Sequence, residues 1–179
     1  DSKPKILLTR RWPKEAESKL FNFFDVTFDE NDRPLCQEEL IDGMKLHDGI
    51  ACTVTDKIDA MTLSEITSHK CKIIANYGVG VNHIDIKAAS QKGILVTNTP
   101  DVLTETTAEI AITLILMTGR RASEGERELR TGGWEGWKPT HLLGQSLNNK
   151  TLGIVGMGRI GRATAKKAAF GLGMKVAYY

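Results

Sequence analysis

The sequence feature that most constrains the fold is a glycine pattern near the carboxyl-terminal end, in the segment TLGIVGMGRIGRATAKK (residues 151–167). An apolar, strand-like run, Leu152–Val155, leads directly into the pattern G-x-G-x-x-G. A helix-compatible stretch, Arg162–Phe170, and a second apolar strand, Met174–Tyr179, follow it. A glycine turn placed between a strand and a helix, with another strand after the helix, predicts a βαβ unit.

Each glycine of this turn has a physical task. Gly156 allows the tight strand-to-helix turn, Gly158 lets a pyrophosphate approach the backbone, and Gly161 lets the helix pack closely on the strand. Free N–H groups and the dipole at the helix start attract phosphates. The turn therefore predicts a site for NAD or NADP, and the alternative is a structural turn without a ligand. The predicted cofactor-binding residues are Gly156, Met157, Gly158, Arg159, Ile160 and Gly161.

Short apolar runs alternate with helical patterns through the first 98 residues. The predicted strands are Lys5–Thr9, Asp25–Phe28, Gly49–Val54, Lys72–Asn76 and Ile94–Thr97. The predicted helices between them are Pro13–Phe23, Gln37–Lys45, Met61–Ser68 and His83–Gln91. Because the strands are too apolar to be exposed on one face, this order predicts a doubly wound, flavodoxin-like α/β domain with a parallel sheet.

The pattern changes after Pro100. Thr106 and Glu109 match a capping box, which predicts a helix over Thr106–Thr118. This helix is apolar nearly all round, so we expect it to be buried between layers. A polar helix, Ser123–Arg130, and an irregular arm with Trp134 and Trp137 follow. We therefore predict a domain over residues 1–98 and the start of a Rossmann dinucleotide-binding domain over residues 99–179, with the helix and arm in residues 104–147.

Composition excludes several classes of function. Lys plus Arg (24) nearly balance Asp plus Glu (22), so no basic surplus predicts nucleic-acid binding. The three cysteines have no metal-ligand spacing, and we expect no metal site and no disulfide. The longest apolar run, Ile110–Met117, is shorter than the roughly 20 residues that cross a bilayer. The first five residues lead straight into a strand and do not resemble a signal peptide. These features predict a soluble, cytoplasmic protein.

A second glycine loop, Gly78-Val79-Gly80, follows the predicted strand Lys72–Asn76. Ligands of open α/β sheets bind outside the carboxyl ends of the strands. Backbone N–H groups in a glycine-rich turn there can hold an anion such as a substrate carboxylate. The alternative is a plain connection in which the glycines only supply backbone freedom.

Four segments in order carry a family resemblance: NYGVGVNHIDI (76–86), GILVTNTPDVLTETTAEIAITLIL (93–116), RRASEGERELRTGGWEGWKP (120–139) and LNNKTLGIVGMGRIGRATA (147–165). Together they resemble the D-2-hydroxyacid dehydrogenase family, particularly its glycerate dehydrogenase and glyoxylate/hydroxypyruvate reductase branch. The resemblance implies an oxidoreductase that transfers a hydride between NAD(P)H and a small 2-keto or 2-hydroxy acid. The alternative is a non-catalytic, dinucleotide-sensing protein similar to the corepressors that share this fold.

The resemblance also implies roles for individual residues. Gly78, Val79 and Gly80 match the loop that binds the substrate carboxylate, and Val54 matches a residue lining the same pocket. Thr107 matches a position beside the nicotinamide. The family's catalytic Arg, Glu and His are expected beyond Tyr179, so no catalytic residue is assigned. We expect the chain to be part of a longer protein and to be inactive by itself.

The resemblance further implies a homodimer. In the family, the long helix and the tryptophan arm pack against a second subunit, and Trp137 is a candidate to reach the partner's active site. Packing within the dimer is the favoured role for Trp134 and Trp137. His83 follows the glycine loop, but the family acid comes from the other domain, so we expect a capping or supporting role for it.

Overall fold

The computed structural model describes residues 2–179, and the chain divides into two compact units, one up to Pro100 and one from Asp101 onward. Within the described residues, no helix is both long enough and apolar enough to cross a membrane.

The first unit is built on five strands. They are β1 (Lys5–Leu8), β2 (Asp25–Thr27), β3 (Gly49–Thr53), β4 (Ile73–Tyr77) and β5 (Leu95–Thr97). The helices between them are α1 (Lys14–Phe23), α2 (Gln37–Leu46), α3 (Ala60–Ser64) and α4 (Ile86–Gln91). All strand pairs are parallel and the order is β2-β1-β3-β4-β5. This is the flavodoxin-like order, and it confirms the predicted fold class.

The core of this unit lies on the central strands. Four of the five residues of β3 are buried, because β1 and β4 flank it and helices cover the sheet. Ile50 and Ile74 pair across β3 and β4 and are fully buried. Met44 and Leu63 close the core from α2 and α3.

Two helices of the first unit are shorter than predicted, and aspartate caps set where both begin. Asp59 accepts a hydrogen bond from Thr62 N (2.9 Å) and starts α3, which ends at Ser64. Asp85 accepts one from Ala88 N (2.9 Å) and starts α4, so residues 78–85 form a loop and not the first turn of a helix.

The second unit contains α5 (Thr104–Arg120), α6 (Ala122–Arg130), β6 (Thr151–Ile154), α7 (Arg159–Lys166) and β7 (Lys175–Tyr178). A π-helical turn, Lys167–Gly171, continues α7. Strands β6 and β7 pair in parallel, which gives the predicted strand, glycine turn, helix and strand. Residues 131–150 form turns and irregular backbone.

The predicted capping box at the start of α5 is wrong. The helix begins at Thr104, after a turn in which Thr104 N donates to Asp101 O. Thr106 therefore lies inside the first turn, and its hydroxyl donates to Leu103 O (3.1 Å). The carboxylate of Glu109 pairs with Lys167 instead of reaching a backbone N–H group.

The expectation that α5 is buried between layers is also wrong for this chain. Ala108 is its only buried residue, whereas Ile110 and Leu114 are 61% and 57% exposed. Helix α7 packs on α5, but the two-stranded sheet of this unit cannot cover the remaining apolar surface.

Candidate functional site

The carboxyl ends of β1, β3 and β4 form the edge of the first sheet where ligands bind in open α/β folds. Three polar side chains, those of Thr9, Asp56 and Asn76, are buried at this edge. Buried polar groups are costly unless they are hydrogen-bonded, so their partners define what holds the edge in shape.

The glycine loop after β4 turns its carbonyl oxygens toward protein donors. Gly78 O accepts from Thr99 N (3.0 Å) and from Asn76 Nδ2 (3.1 Å). Val79 O accepts from Asn98 Nδ2 (2.9 Å), and Gly80 O accepts from Asn76 Nδ2 (2.9 Å). Each of these three consecutive carbonyls therefore has a protein partner.

The N–H groups of the same loop are free. Across residues 2–179, the backbone nitrogens of Val79, Gly80 and Val81 donate to no protein acceptor. A Cβ added to Gly80 would meet no atom within 4 Å, so the space beside this residue is open. Three adjacent free donors in a polar turn suit an anion such as a carboxylate.

Val54 lies beside this loop. A Cβ built on Gly78 would lie 3.3 Å from Val54 Cγ1, and the Val54 side chain is 62% exposed. Trp12, from the loop after β1, packs on Tyr77 at the end of β4, with ring centroids 5.0 Å apart. Apolar and aromatic groups therefore border the glycine loop.

Asp56 is a structural residue of this edge that sequence reasoning missed. Its Oδ2 accepts from Thr9 Oγ1 (2.5 Å) and from Thr53 N (2.7 Å). The carboxylate ties the turn that carries Val54 to the end of β1. An aspartate three residues after a strand-ending threonine is a turn-forming pattern that indicates such a role.

Asn76, which sequence reasoning missed, contacts His83, for which a capping or supporting role is predicted. Asn76 Oδ1 faces His83 Nε2 (2.9 Å) and accepts a weak bond from the Cys52 thiol (3.8 Å). Burial lowers the pKa of His83, an effect that the charge of Asp56 partly offsets. Burial raises the pKa of Cys52 to about 12, so the thiol keeps its proton. Asn76 is a polar residue within the otherwise apolar strand β4, and this exception in the sequence could have indicated a buried polar contact.

The arginines after β1 are not free to bind a substrate. Arg10 pairs with Asp32 (2.9 Å), and its hydrogen bonds lower the pKa of that carboxyl to about 2. Arg11 pairs with the buried Glu17 (2.6 Å), and this bond lowers the pKa of Glu17. Trp12 N also donates to Glu17 (2.8 Å), so these carboxylates fix the loop between β1 and α1.

The glycine turn of the second unit has the geometry that a dinucleotide requires. Gly156 has a φ of +95°, which favours glycine. A Cβ on Gly161 would collide with the carbonyl oxygen of Gly156, whereas one on Gly158 would meet nothing within 4 Å. No side chain caps α7, and in the described residues the N–H groups of 157–161 have no acceptor. These residues therefore fit a pyrophosphate.

The other predicted site residues of the second unit are exposed. Thr107 lies in the first turn of α5. The side chain of Arg159 pairs with Asp101 (2.5 Å). Its backbone N–H has no protein acceptor among the described residues and can bind a phosphate. Trp134 and Trp137 lie in the irregular arm, and Trp137 is 83% exposed.

Comparison with known proteins defines the family. The model of the D-isomer specific 2-hydroxyacid dehydrogenase catalytic domain matches residues 6–176. The chain therefore belongs to the D-2-hydroxyacid dehydrogenase family, as the sequence resemblance predicts.

Relatives and solved structures agree with this assignment. The glyoxylate reductase of Korarchaeum cryptofilum is 41% identical over 99% of this chain, and that of Thermofilum pendens is 42% identical over 99%. The chain spans 53% and 52% of these two proteins, about half of their length.

Two solved structures are similar over nearly the whole chain. The TT0316 protein of Thermus thermophilus is 41% identical, with a TM-score of 0.85 over 97% of this chain and 55% of that one. The NADPH-dependent glyoxylate/hydroxypyruvate reductase of Sinorhizobium meliloti, in complex with NADP and malonate, is 34% identical, with a TM-score of 0.79 over 99% of this chain and 53% of that one.

Proposed function

We propose that the protein to which this chain belongs is an NAD(P)-dependent reductase of small 2-keto acids of the glyoxylate and hydroxypyruvate type. The similarity to glyoxylate reductases along 99% of the chain is the observation that carries the proposal. The reaction converts a 2-keto acid, NAD(P)H and a proton into the 2-hydroxy acid and NAD(P)⁺.

In this proposal the first unit binds the acid. The free N–H groups at residues 79–81 hold the substrate carboxylate, with Gly78 and Gly80 giving close access to the backbone. Val54 lines the pocket beside the loop. The structural neighbour that binds malonate, a carboxylate, supports this reading. We accordingly propose residues 1–98 as the substrate domain.

Residues 99–179 then form the beginning of the dinucleotide-binding domain. The turn Gly156-Met157-Gly158-Arg159-Ile160-Gly161 would hold the pyrophosphate of NAD or NADP through its free N–H groups. Thr107 would contact the nicotinamide end of the cofactor, which when bound supplies the hydride. We place the family's Arg, Glu and His beyond Tyr179, in the half of the relatives' length that this chain does not span.

The proposal includes a cytoplasmic homodimer. The exposed apolar side chains of α5 and the exposed Trp134 and Trp137 offer a surface for a second subunit. The cysteines of this chain are free thiols, which suits a reducing compartment.

A substrate panel tests the proposed reaction. The full-length protein is assayed with NADH and with NADPH against glyoxylate, hydroxypyruvate and pyruvate, and glycolaldehyde serves as a matched control without a carboxylate. We expect turnover of glyoxylate or hydroxypyruvate and none of glycolaldehyde, because the loop recognises the acid group. If the protein binds a cofactor but reduces no keto acid, the proposal is wrong and a sensing role is favoured.

A further inference from the structure

The free N–H groups of the loop depend on how three peptide planes are oriented. In a planar trans peptide the C=O and the following N–H point in opposite directions. Holding the carbonyls of Gly78, Val79 and Gly80 therefore fixes the N–H groups of Val79, Gly80 and Val81, respectively. Glycine backbones at 78 and 80 have the freedom to rotate, so something must hold these planes.

Side-chain amides hold all three planes. Asn76 binds the first and third carbonyls, at 3.1 and 2.9 Å, and Asn98 binds the second at 2.9 Å. Asn76 is 2% exposed, so its bonds to the two carbonyls are shielded from competing water. One buried side chain thus fixes two of the three donors that face the open side of the loop.

The loop carbonyls determine which way the Asn76 amide points, and His83 holds the amide in that orientation. The carbonyls of Gly78 and Gly80 can only accept, so Nδ2 of Asn76 must face them and Oδ1 must face His83. Oδ1 can only accept, so His83 Nε2 carries the hydrogen and donates it. The proton on Nε2 is therefore committed to Asn76 and is not available to a substrate.

We propose that Asn76, oriented by His83 and assisted by Asn98, is a positioning residue that presets the loop N–H groups for the substrate carboxylate. This inference rests on the proposed function. It predicts that loss of these side chains weakens binding of the acid more than it slows the chemical step.

Histidine variants in the full-length enzyme test the inference. His83→Gln keeps a side-chain N–H donor, whereas His83→Leu removes it. We expect His83→Leu to raise the KM for glyoxylate about tenfold or more, because misplaced N–H groups weaken their charge-assisted hydrogen bonds to the carboxylate. We expect kcat to stay within about twofold, because binding lost equally from the ground state and the transition state changes KM alone. We expect His83→Gln to restore most of the wild-type KM.

Two further variants distinguish an effect on the loop from a general loss of folding. Asn98 is exposed, so Asn98→Ala should fold normally. It should raise the KM less than His83→Leu does, because it releases only the peptide plane that carries the Val79 carbonyl. His69 is a half-buried histidine just before β4, and its Nδ1 bonds Cys71 O (2.9 Å). It lies at the opposite end of β4 from the glycine loop. His69→Leu is the matched control and should leave the KM unchanged. Melting temperature and NADH affinity are measured for every variant.

The outcomes separate the inference from the proposed function. A wild-type enzyme that reduces no 2-keto acid overturns the proposed function, and the inference with it. An active wild type whose His83 and Asn98 variants keep the wild-type KM overturns the inference alone. A His83→Gln enzyme that loses kcat at unchanged KM would identify His83 as the acid, which also overturns the inference.

Discussion

The two glycine loops of this chain prepare their N–H groups for an anion by different means. In the first unit, the side-chain amides of Asn76 and Asn98 hold the loop carbonyls. In the second unit, no side chain caps the helix start, and the backbone of Gly156 with the close packing of Gly161 sets the shape. The first loop therefore depends on side chains that lie outside the glycine turn, whereas the second depends on residues within the motif itself.

The same contrast appears in the packing. The first unit has one continuous buried core built on a five-stranded sheet. In the second unit the buried apolar residues are small or few, namely Ala108, Ala163, Ala168 and Met174. Two paired glutamates show the same contrast in burial. Glu17 of the first unit is buried, whereas Glu105 of the second unit is exposed.

The largest effect is expected from a truncation in the first core. Ile74→Ala should lower the free energy of unfolding by about 3 to 4 kcal/mol, because a fully buried isoleucine leaves a cavity. Ile110→Ala on the exposed face of α5 should cost less than about 1 kcal/mol in the monomer.

Urea denaturation of both variants at several protein concentrations measures these costs. If the cost of Ile110→Ala rises with concentration, α5 is covered by a second copy, which supports the proposed homodimer. Equal, concentration-independent costs at the two positions would contradict the contrast between the units.

A pair of glycine variants tests the second loop. Gly161→Ala should destabilise the second unit by about 2 kcal/mol, because the added Cβ collides with the carbonyl of Gly156. Gly158→Ala should leave stability nearly unchanged, since its Cβ meets no atom, but should weaken cofactor binding about tenfold by blocking the pyrophosphate.

Thermal unfolding and NADH titration of the full-length protein separate the two glycine effects. A Gly158→Ala protein that binds the cofactor as tightly as the wild type would show that the turn does not hold the pyrophosphate.

A third effect, which depends on pH, is expected from a buried charge. Glu17→Gln should cost about 2 kcal/mol at neutral pH, because it breaks hydrogen bonds to Arg11 and Trp12. The pKa of Glu17 is lowered on folding, so its stabilisation is complete above the ordinary value of 4.5. It is lost as the pH falls through the lowered pKa.

The difference in stability between wild type and Glu17→Gln is therefore expected to shrink below about pH 4. Glu105→Gln, which removes an exposed pair with Lys167, is the matched control and should change stability much less. A difference that does not depend on pH would mean that the charge of Glu17 is not what stabilises the loop.

Local pattern predicts most of the fold, because parallel strands and their helices have distinct periodicities. The alternation from Lys5 to Thr97 is sufficient for the flavodoxin-like sheet, and the motif from Gly156 to Gly161 is sufficient for the βαβ unit. Element ends are less predictable, since an aspartate cap such as Asp85 moves a helix start by three residues from the predicted His83.

The sequence by itself determined the family, the two glycine loops and the parallel order of the first sheet, since these depend on short-range spacing and on the absence of side chains. Only the tertiary structure decided that Asn76 meets His83, that Asp56 meets Thr9, and that α5 begins before its apparent capping box. The reason is physical. Such contacts depend on where separate strands end in space, and a buried polar group takes whichever partner the fold brings within hydrogen-bond distance.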